Sequence, residues 1–282
     1  MTLREVVKTV KGHETTDGAG IKLVRVLGVA NVQDFDPFLM LDSFDSHNPE
    51  EFTMGFPFHP HRGIETITYL LEGQMEHKDS LGNEGLIVGG ESQWMTAGSG
   101  IMHQEMPLEY PWLLGVQLWL NLPSSEKMTD PSYFDVKRDM IPVVKTAFGE
   151  ARILAGRYAG QEGVKPPHVK ATYIDFLVQA GEKAVIPTIP DETNFIFLIL
   201  GDAIIGGHKY HEKTAVLFGP GDAIEVEANG LRDLRFFFYQ GKPLREPVAW
   251  GGPIVMNTKK ELGLAFQELN DGNFIKRKPA NV

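Results

Sequence analysis

Short apolar runs separated by turns recur along the whole chain, and almost none is long enough for a helix. Residues 21–29, 66–71, 86–88 and 92–95 are such runs, and residues 74–78 form a further short strand pattern. Turn chemistry divides them at Asp17-Gly18, Asp34-Phe35-Asp36-Pro37, His47-Asn48-Pro49 and Asp79-Ser80-Leu81-Gly82-Asn83. The clearest strand is residues 113–122, where Leu114, Val116, Leu118 and Leu120 alternate with Gln117, Trp119 and Asn121. Period-two alternation is the pattern of a strand, whose successive side chains point to opposite faces. The chain therefore reads as all-β.

Residues 123–142 are polar and carry Pro123, Pro131 and Pro142, which suits an exit from a first domain. A second series of strands follows at 184–189, 194–200, 203–205 and 215–218, with turns at Gly206-Gly207 and Gly219-Pro220-Gly221-Asp222. Placing Gly73 on Gly201 and Gly98 on Gly221 gives two nearly equal offsets, the mark of a weak internal repeat. On that register His59 and His61 fall on Pro187 and Ile189, and His103 and Glu105 on Val226 and Ala228. One helix is expected, opened by the capping box Thr258-Lys259-Lys260-Glu261 and closed at Asn270-Asp271-Gly272, with Leu262, Phe266 and Leu269 on one face.

The candidate chemistry sits in the first half. His59-Pro60-His61 and His103-Gln104-Glu105 each place two metal-ligand types at i and i+2, on one face of an extended chain. Three imidazoles and one carboxylate would enclose a single first-row metal ion. Spacing admits Glu65 as well as Glu105 for the carboxylate, since Glu65 follows His61 by four residues. Phe56, Phe58, Trp94 and Met102 suit either the wall of an aromatic-binding cavity or plain core. A single histidine in a strand is usually only a hydrogen-bonded ring. His77, among charged residues, is expected to be exposed; His208 and His211 belong to a surface hairpin, and His13, His47 and His168 lack partners in sequence.

Composition narrows this reading. An apolar fraction of 42% with 10% aromatics over 282 residues fills the cores of two domains. There is no cysteine, which excludes disulfides, iron–sulfur clusters and thiolate metal sites and leaves nitrogen and oxygen ligands. A net charge of −10 disfavours direct nucleic-acid binding, and Lys276-Arg277-Lys278 reads as a solvated basic tail. No run approaches a membrane span and Met1-Thr2-Leu3-Arg4-Glu5 lacks a signal-peptide layout, so no membrane partner and a cytoplasmic location are expected.

Residues 58–66, 76–82, 96–105 and 117–122, together with 243–248 and 252–258, resemble the pirin family of the cupin superfamily, and the likeness spans nearly the whole chain. It implies a bicupin of two double-stranded β-barrel (jelly-roll) domains with a short C-terminal helix: a metal-binding domain over residues 1–135 and a degenerate cupin without a metal site over 136–282. It implies Fe(II), with other divalent first-row metals admitted by the same donors, held by His59, His61, His103 and Glu105. Glu105 is then favoured over Glu65, which takes a supporting or catalytic role. The implied activity is an oxidoreductase of the quercetin 2,3-dioxygenase type, opening flavonols with O2 and releasing carbon monoxide. The alternative is a redox-sensing regulator that binds a protein partner, a transcription factor or a metabolic enzyme.

Overall fold

The computed structural model describes residues 1–277, and among them the expected strand-rich architecture is realised as two compact units. Neither unit is one continuous segment. The first comprises Glu14–Val32, Phe38–Arg138 and the chain from Leu244 onward; the second comprises Met1–His13, Gln33–Pro37 and Asp139–Pro243.

In the histidine-bearing unit a seven-stranded sheet runs in the order Ser132–Val136, Ser92–Thr96, Ile64–Glu72, Leu113–Asn121, Phe38–Ser46, Ile21–Leu27 and His13–Asp17. A four-stranded sheet runs Phe56–His61, Ile101–Pro107, Gln74–Asp79 and Glu84–Val88. Leu113–Asn121 lies inside the larger sheet, and all nine of its positions are buried. Its alternation thus separates two buried faces rather than an inner from a solvent face. Leu114, Leu118 and Leu120 take one face, and Gln117, Trp119 and Asn121 the other.

The other unit repeats the arrangement. Its seven-stranded sheet runs Val6–Lys11, Thr214–Phe218, Thr193–Leu200, Leu234–Gly241, Ala171–Val178, Gly149–Ala155 and Val143–Thr146. Its four-stranded sheet runs Lys183–Pro187, Ala223–Ala228, Ala203–Ile205 and His208–Tyr210. Val6–Lys11, the first strand of six or more residues, holds the edge position that Ser132–Val136 holds in the first unit. The sequence register of the repeat needs correcting here. Val226 faces Ala184 and Ile224 faces Ile186, so the ladder aligns His59 and His61 with Ala184 and Ile186, three residues before Pro187 and Ile189. The connection to the following strand, residues 188–192 in the second copy against 62–63 in the first, is longer and caused the slip. Ala184, Ile186, Val226 and Ala228 are all fully buried in one apolar cluster.

The single long helix spans Lys259–Asn270, and its capping box forms as expected: Glu261 N–H donates to Thr258 Oγ1 (3.2 Å) and Thr258 N–H to Glu261 Oε2 (2.8 Å). Its inward face is Leu262, Ala265 and Leu269 against Ile254, Met256 and Phe274. Phe266 departs from the expected face and is 36% exposed, lying over Gly251 instead. Of the basic tail, Lys276 and Arg277 are exposed and paired with Glu268 and Asp130; Lys278 lies outside the described residues. Thr258→Ala should lower unfolding stability by about 1 kcal/mol, read as a shift of the denaturant midpoint, because it removes one N-terminal cap.

Candidate metal centre

The site is assembled on the four-stranded sheet of the first unit. Phe56–His61 is an edge strand paired only with Ile101–Pro107, which sets His103 opposite His59 and Ile101 opposite His61. One potential ligand nitrogen from each of His59, His61 and His103 lies within 4.8 Å of the other two. Among the described residues this is the one such group of three or more.

The rings are oriented by their outer nitrogens. His61 Nδ1 donates to the Pro253 carbonyl (3.0 Å) and His59 Nδ1 to the Pro57 carbonyl (2.9 Å), since a carbonyl can only accept. Both Nε2 atoms are thereby left as lone-pair donors, 3.0 Å apart. His103 is buried and makes no hydrogen bond at either ring nitrogen. Burial, reinforced by repulsion from His59, pulls the His61 imidazole down to about 3. Burial followed by repulsion from His59, His61 and His77 holds His103 well below the ordinary histidine range. A fully buried imidazole with both nitrogens unpaired, beside two lone pairs aimed at the same point, fits a metal ion.

Two buried cations hold the turn that follows the first histidine pair. Arg62 is 2% exposed and donates to the Ser99 carbonyl (2.8 Å), Glu268 Oε2 (2.8 Å) and the Phe274 carbonyl (2.9 Å). Lys127 Nζ donates to the carbonyls of Gly63 (2.8 Å) and Val255 (2.9 Å) and to Asn121 Oδ1. Burial draws that amine down to about 7. Gly63 has φ +77°, and a Cβ there would stand 2.0 Å from the Val255 carbonyl oxygen, so glycine is required.

The two candidate carboxylates are placed differently. Glu105 is 1% exposed and accepts from Thr68 Oγ1 (2.7 Å) and from the side-chain amides of Gln93 and Gln117. It is not one of the converging group. Glu65 does not share a strand with His61, because Gly63 turns the chain and Glu65 lies in Ile64–Glu72. It accepts from Thr96 Oγ1 (2.9 Å), and its odd position relative to Thr68 puts it on the sheet face opposite Glu105's partners.

Two expectations are corrected, for His77 and Phe58, while Trp94 takes the core alternative. His77 is buried, with its ring stacked on Tyr133 at 3.8 Å, 5.4 Å from the His103 ring, and its Nε2 3.3 Å from Asp79 Oδ2. Its charged sequence neighbours Glu76 and Lys78 occupy the outward phase of the same strand. Phe58 is 51% exposed and Trp94 is core. Of the four aromatic and methionine wall candidates only Phe56 lines the cavity beside His59 and His61, which measures about 640 Å³. Its apolar wall also includes Met40, Trp119 and Trp250; the two indoles are 5.8 Å apart and Trp119 meets His61 edge-on at 4.9 Å. Gln117, Gln93, Thr68, Arg62, Lys127 and Trp250 carried no role in the sequence reading. The polar phase of the Leu113–Asn121 strand was a visible signal for Gln117 alone.

Residues 20–120 match the family model described as Pirin, and residues 173–275 match the Pirin C-terminal cupin domain. The chain belongs to the pirin family. A pirin-like protein of Caulobacter vibrioides is 41% identical over 97% of this chain and 100% of its own length. The crystal structure of quercetin 2,3-dioxygenase from Acinetobacter baumannii superposes with a TM-score of 0.88 at 30% identity, covering 96% of this chain and 98% of that one. A bacterial pirin from Escherichia coli in complex with nickel(II) shares the fold, with a TM-score of 0.66 at 22% identity over 84% of this chain and 99% of that one. Both units of this pirin are cupin domains, and no helix among the described residues is long and apolar enough to cross a membrane.

Acid should destabilise the metal-free pirin. The unfolded chain protonates the residue-61 ring below about 6.5, whereas the folded ring resists until about 3. Stability therefore falls as pH drops through that window, by up to ~1.4 kcal/mol per pH unit for each such histidine. Thermal unfolding of chelator-treated protein at pH 7 and pH 5 should show the loss, and His61→Asn should flatten the profile.

Proposed function

We propose that this pirin is an iron-dependent dioxygenase acting on flavonols such as quercetin, opening the ring with O2 and releasing carbon monoxide. The observation that carries the reading is the convergence of three imidazoles beside an aromatic-walled cavity of about 640 Å³, a size suited to a small planar ligand. The name of the Acinetobacter baumannii relative supports the same chemistry.

His59, His61 and His103 would hold the ion, and we assign Glu105 as the fourth ligand. Its three hydrogen-bond donors occupy three of about four carboxylate lone-pair sites, which leaves one for a metal. Bound there, Fe(II) would supply Lewis acidity toward the flavonol oxygens and a redox partner for O2. The protein's own residues do the rest. The carbonyls of Pro57 and Pro253 fix the ring tautomers, while Trp119, Trp250, Phe56 and Met40 flank a planar ring and keep water off it. Glu105 is the assigned acceptor for the flavonol hydroxyl proton, giving up one of its amide donors to receive it, whereas Glu65 lies on the far face of its sheet.

A second reading, a redox-responsive protein-binding role, is favoured by one feature. His59 is half-buried on an edge strand beside the exposed Phe58, so a change at the metal would be felt at the surface. Capture of a protein partner that differs between ferrous and ferric protein would support it.

Iron-loaded protein should bleach the visible absorbance of quercetin in air. His103→Ala should lose the metal, by elemental analysis, and at least about a hundredfold in rate. No turnover with Fe, Mn, Co, Ni or Cu would sink the flavonol reading. Glu105→Ala should strip the metal and Glu65→Ala should not; the reverse outcome overturns the carboxylate assignment.

A further inference from the structure

One wall of the cavity is charged, and neither the metal centre nor the aromatic residues account for it. Arg25 faces Asp42 directly across adjacent strands, and Asp42 faces Gln117 in the same way, so the three side chains form one row on one face of the sheet. All three line the cavity together with Asp17, His59 and His61.

The row is held rigidly. Arg25 grips the buried Asp42 through both oxygens, Nε to Oδ1 at 2.9 Å and Nη2 to Oδ2 at 2.7 Å. Its Nη2 also donates to Asp17 Oδ2 at 2.7 Å, and Asp17 Oδ1 accepts from Gly18 N–H. Arg25 Nη1 makes no hydrogen bond among the described residues, and the side chain is 29% exposed. Gln117 commits its amide nitrogen to Glu105, while its Oε1 accepts from none of the described residues. The wall therefore offers one free donor edge and free acceptor positions. Two carboxylates against one guanidinium leave it one negative charge in excess. Hydrogen bonding to Asp42 keeps Arg25 firmly charged, and although burial alone would push Asp17 up, its bonds to Arg25 and Gly18 hold it below the usual carboxylate range.

We propose that Asp17, Arg25, Asp42 and Gln117 form the specificity-determining face of the cavity, selecting neutral, hydroxyl-bearing aromatic ligands and rejecting anionic ones. This rests on the flavonol reading above. A phenolic hydroxyl donates and accepts at once, so it satisfies Gln117 Oε1 or Asp17 and the free edge of Arg25 together. A sulfate or carboxylate would meet the excess negative charge in a partly desolvated pocket, where opposition between like charges is strongest.

Quenching of tryptophan fluorescence reads binding without turnover, because Trp119 and Trp250 line the cavity. The ligands are quercetin, a flavonol lacking the hydroxyls of its pendant ring, and a quercetin monosulfate, each titrated into iron-loaded and chelator-treated protein. Quercetin should bind about tenfold more tightly than either of the others. Asp17→Asn, at a half-exposed site, should narrow the gap for the sulfate about tenfold at unchanged metal content. Equal affinity for the three ligands, or unaltered discrimination in Asp17→Asn, overturns this specificity while leaving the proposed function standing. Iron-loaded protein that binds none of the three overturns the proposed function and this inference with it.

Discussion

The backbone carbonyl of Pro253, receiving the Nδ1 proton of His61, is the contact on which the metal centre depends. It decides which nitrogen of that ring is free, and it comes from a segment nearly two hundred positions away in the chain. The neighbouring contacts serve the same end. Val255 accepts from Lys127 and donates its N–H to the Arg62 carbonyl, while the Arg62 guanidinium reaches Glu268 on the helix and Phe274 beyond it. Each of these buried groups has a partner for its polar atoms, and removal of one partner would strand a charge in the interior. The clamp therefore fixes the turn at Gly63 far more firmly than a loop of that composition could hold itself.

On the facing sheet a polar row crosses the interior. Asp135, Gln93, Thr68, Gln117, Asp42 and Arg25 are successive cross-strand neighbours, and Glu105 descends onto the middle three. Tyr133 links Asp135 and Gln93 at one end and stacks on His77. A line of polar groups through a barrel is costly unless its members satisfy one another, and here the central carboxylate satisfies three of them. The end of the row formed by Gln117, Asp42 and Arg25 supplies the charged wall of the cavity beside His59 and His61.

The second cupin domain shows the alternative solution on the same strand order. Where the first has His59, His61 and His103, the ladder of the second has Ala184, Ile186 and Val226, buried among Phe176, Phe236 and Phe238. Apolar filling at those positions leaves no ring nitrogen that needs a partner. One scaffold thus carries a packed core in one copy and a polar, ligand-ready interior in the other.

Short-range patterns sufficed for the strands, the Thr258 cap and the paired histidines, because each is a matter of residue type at small sequence separation. The absence of cysteine settled the donor class equally simply. Which strand lies beside which was not legible. Nothing local told that Val6–Lys11 joins the second sheet, that Gln117 rather than Leu118 faces the histidines, or that His77 turns inward past charged neighbours. Those outcomes follow from pairing register and burial, which are long-range properties. The same holds for the two glutamates, whose sequence spacing from histidine was equally suitable. Only the turn at Gly63 put Glu65 on the far face of its sheet and left Glu105 on the inner one.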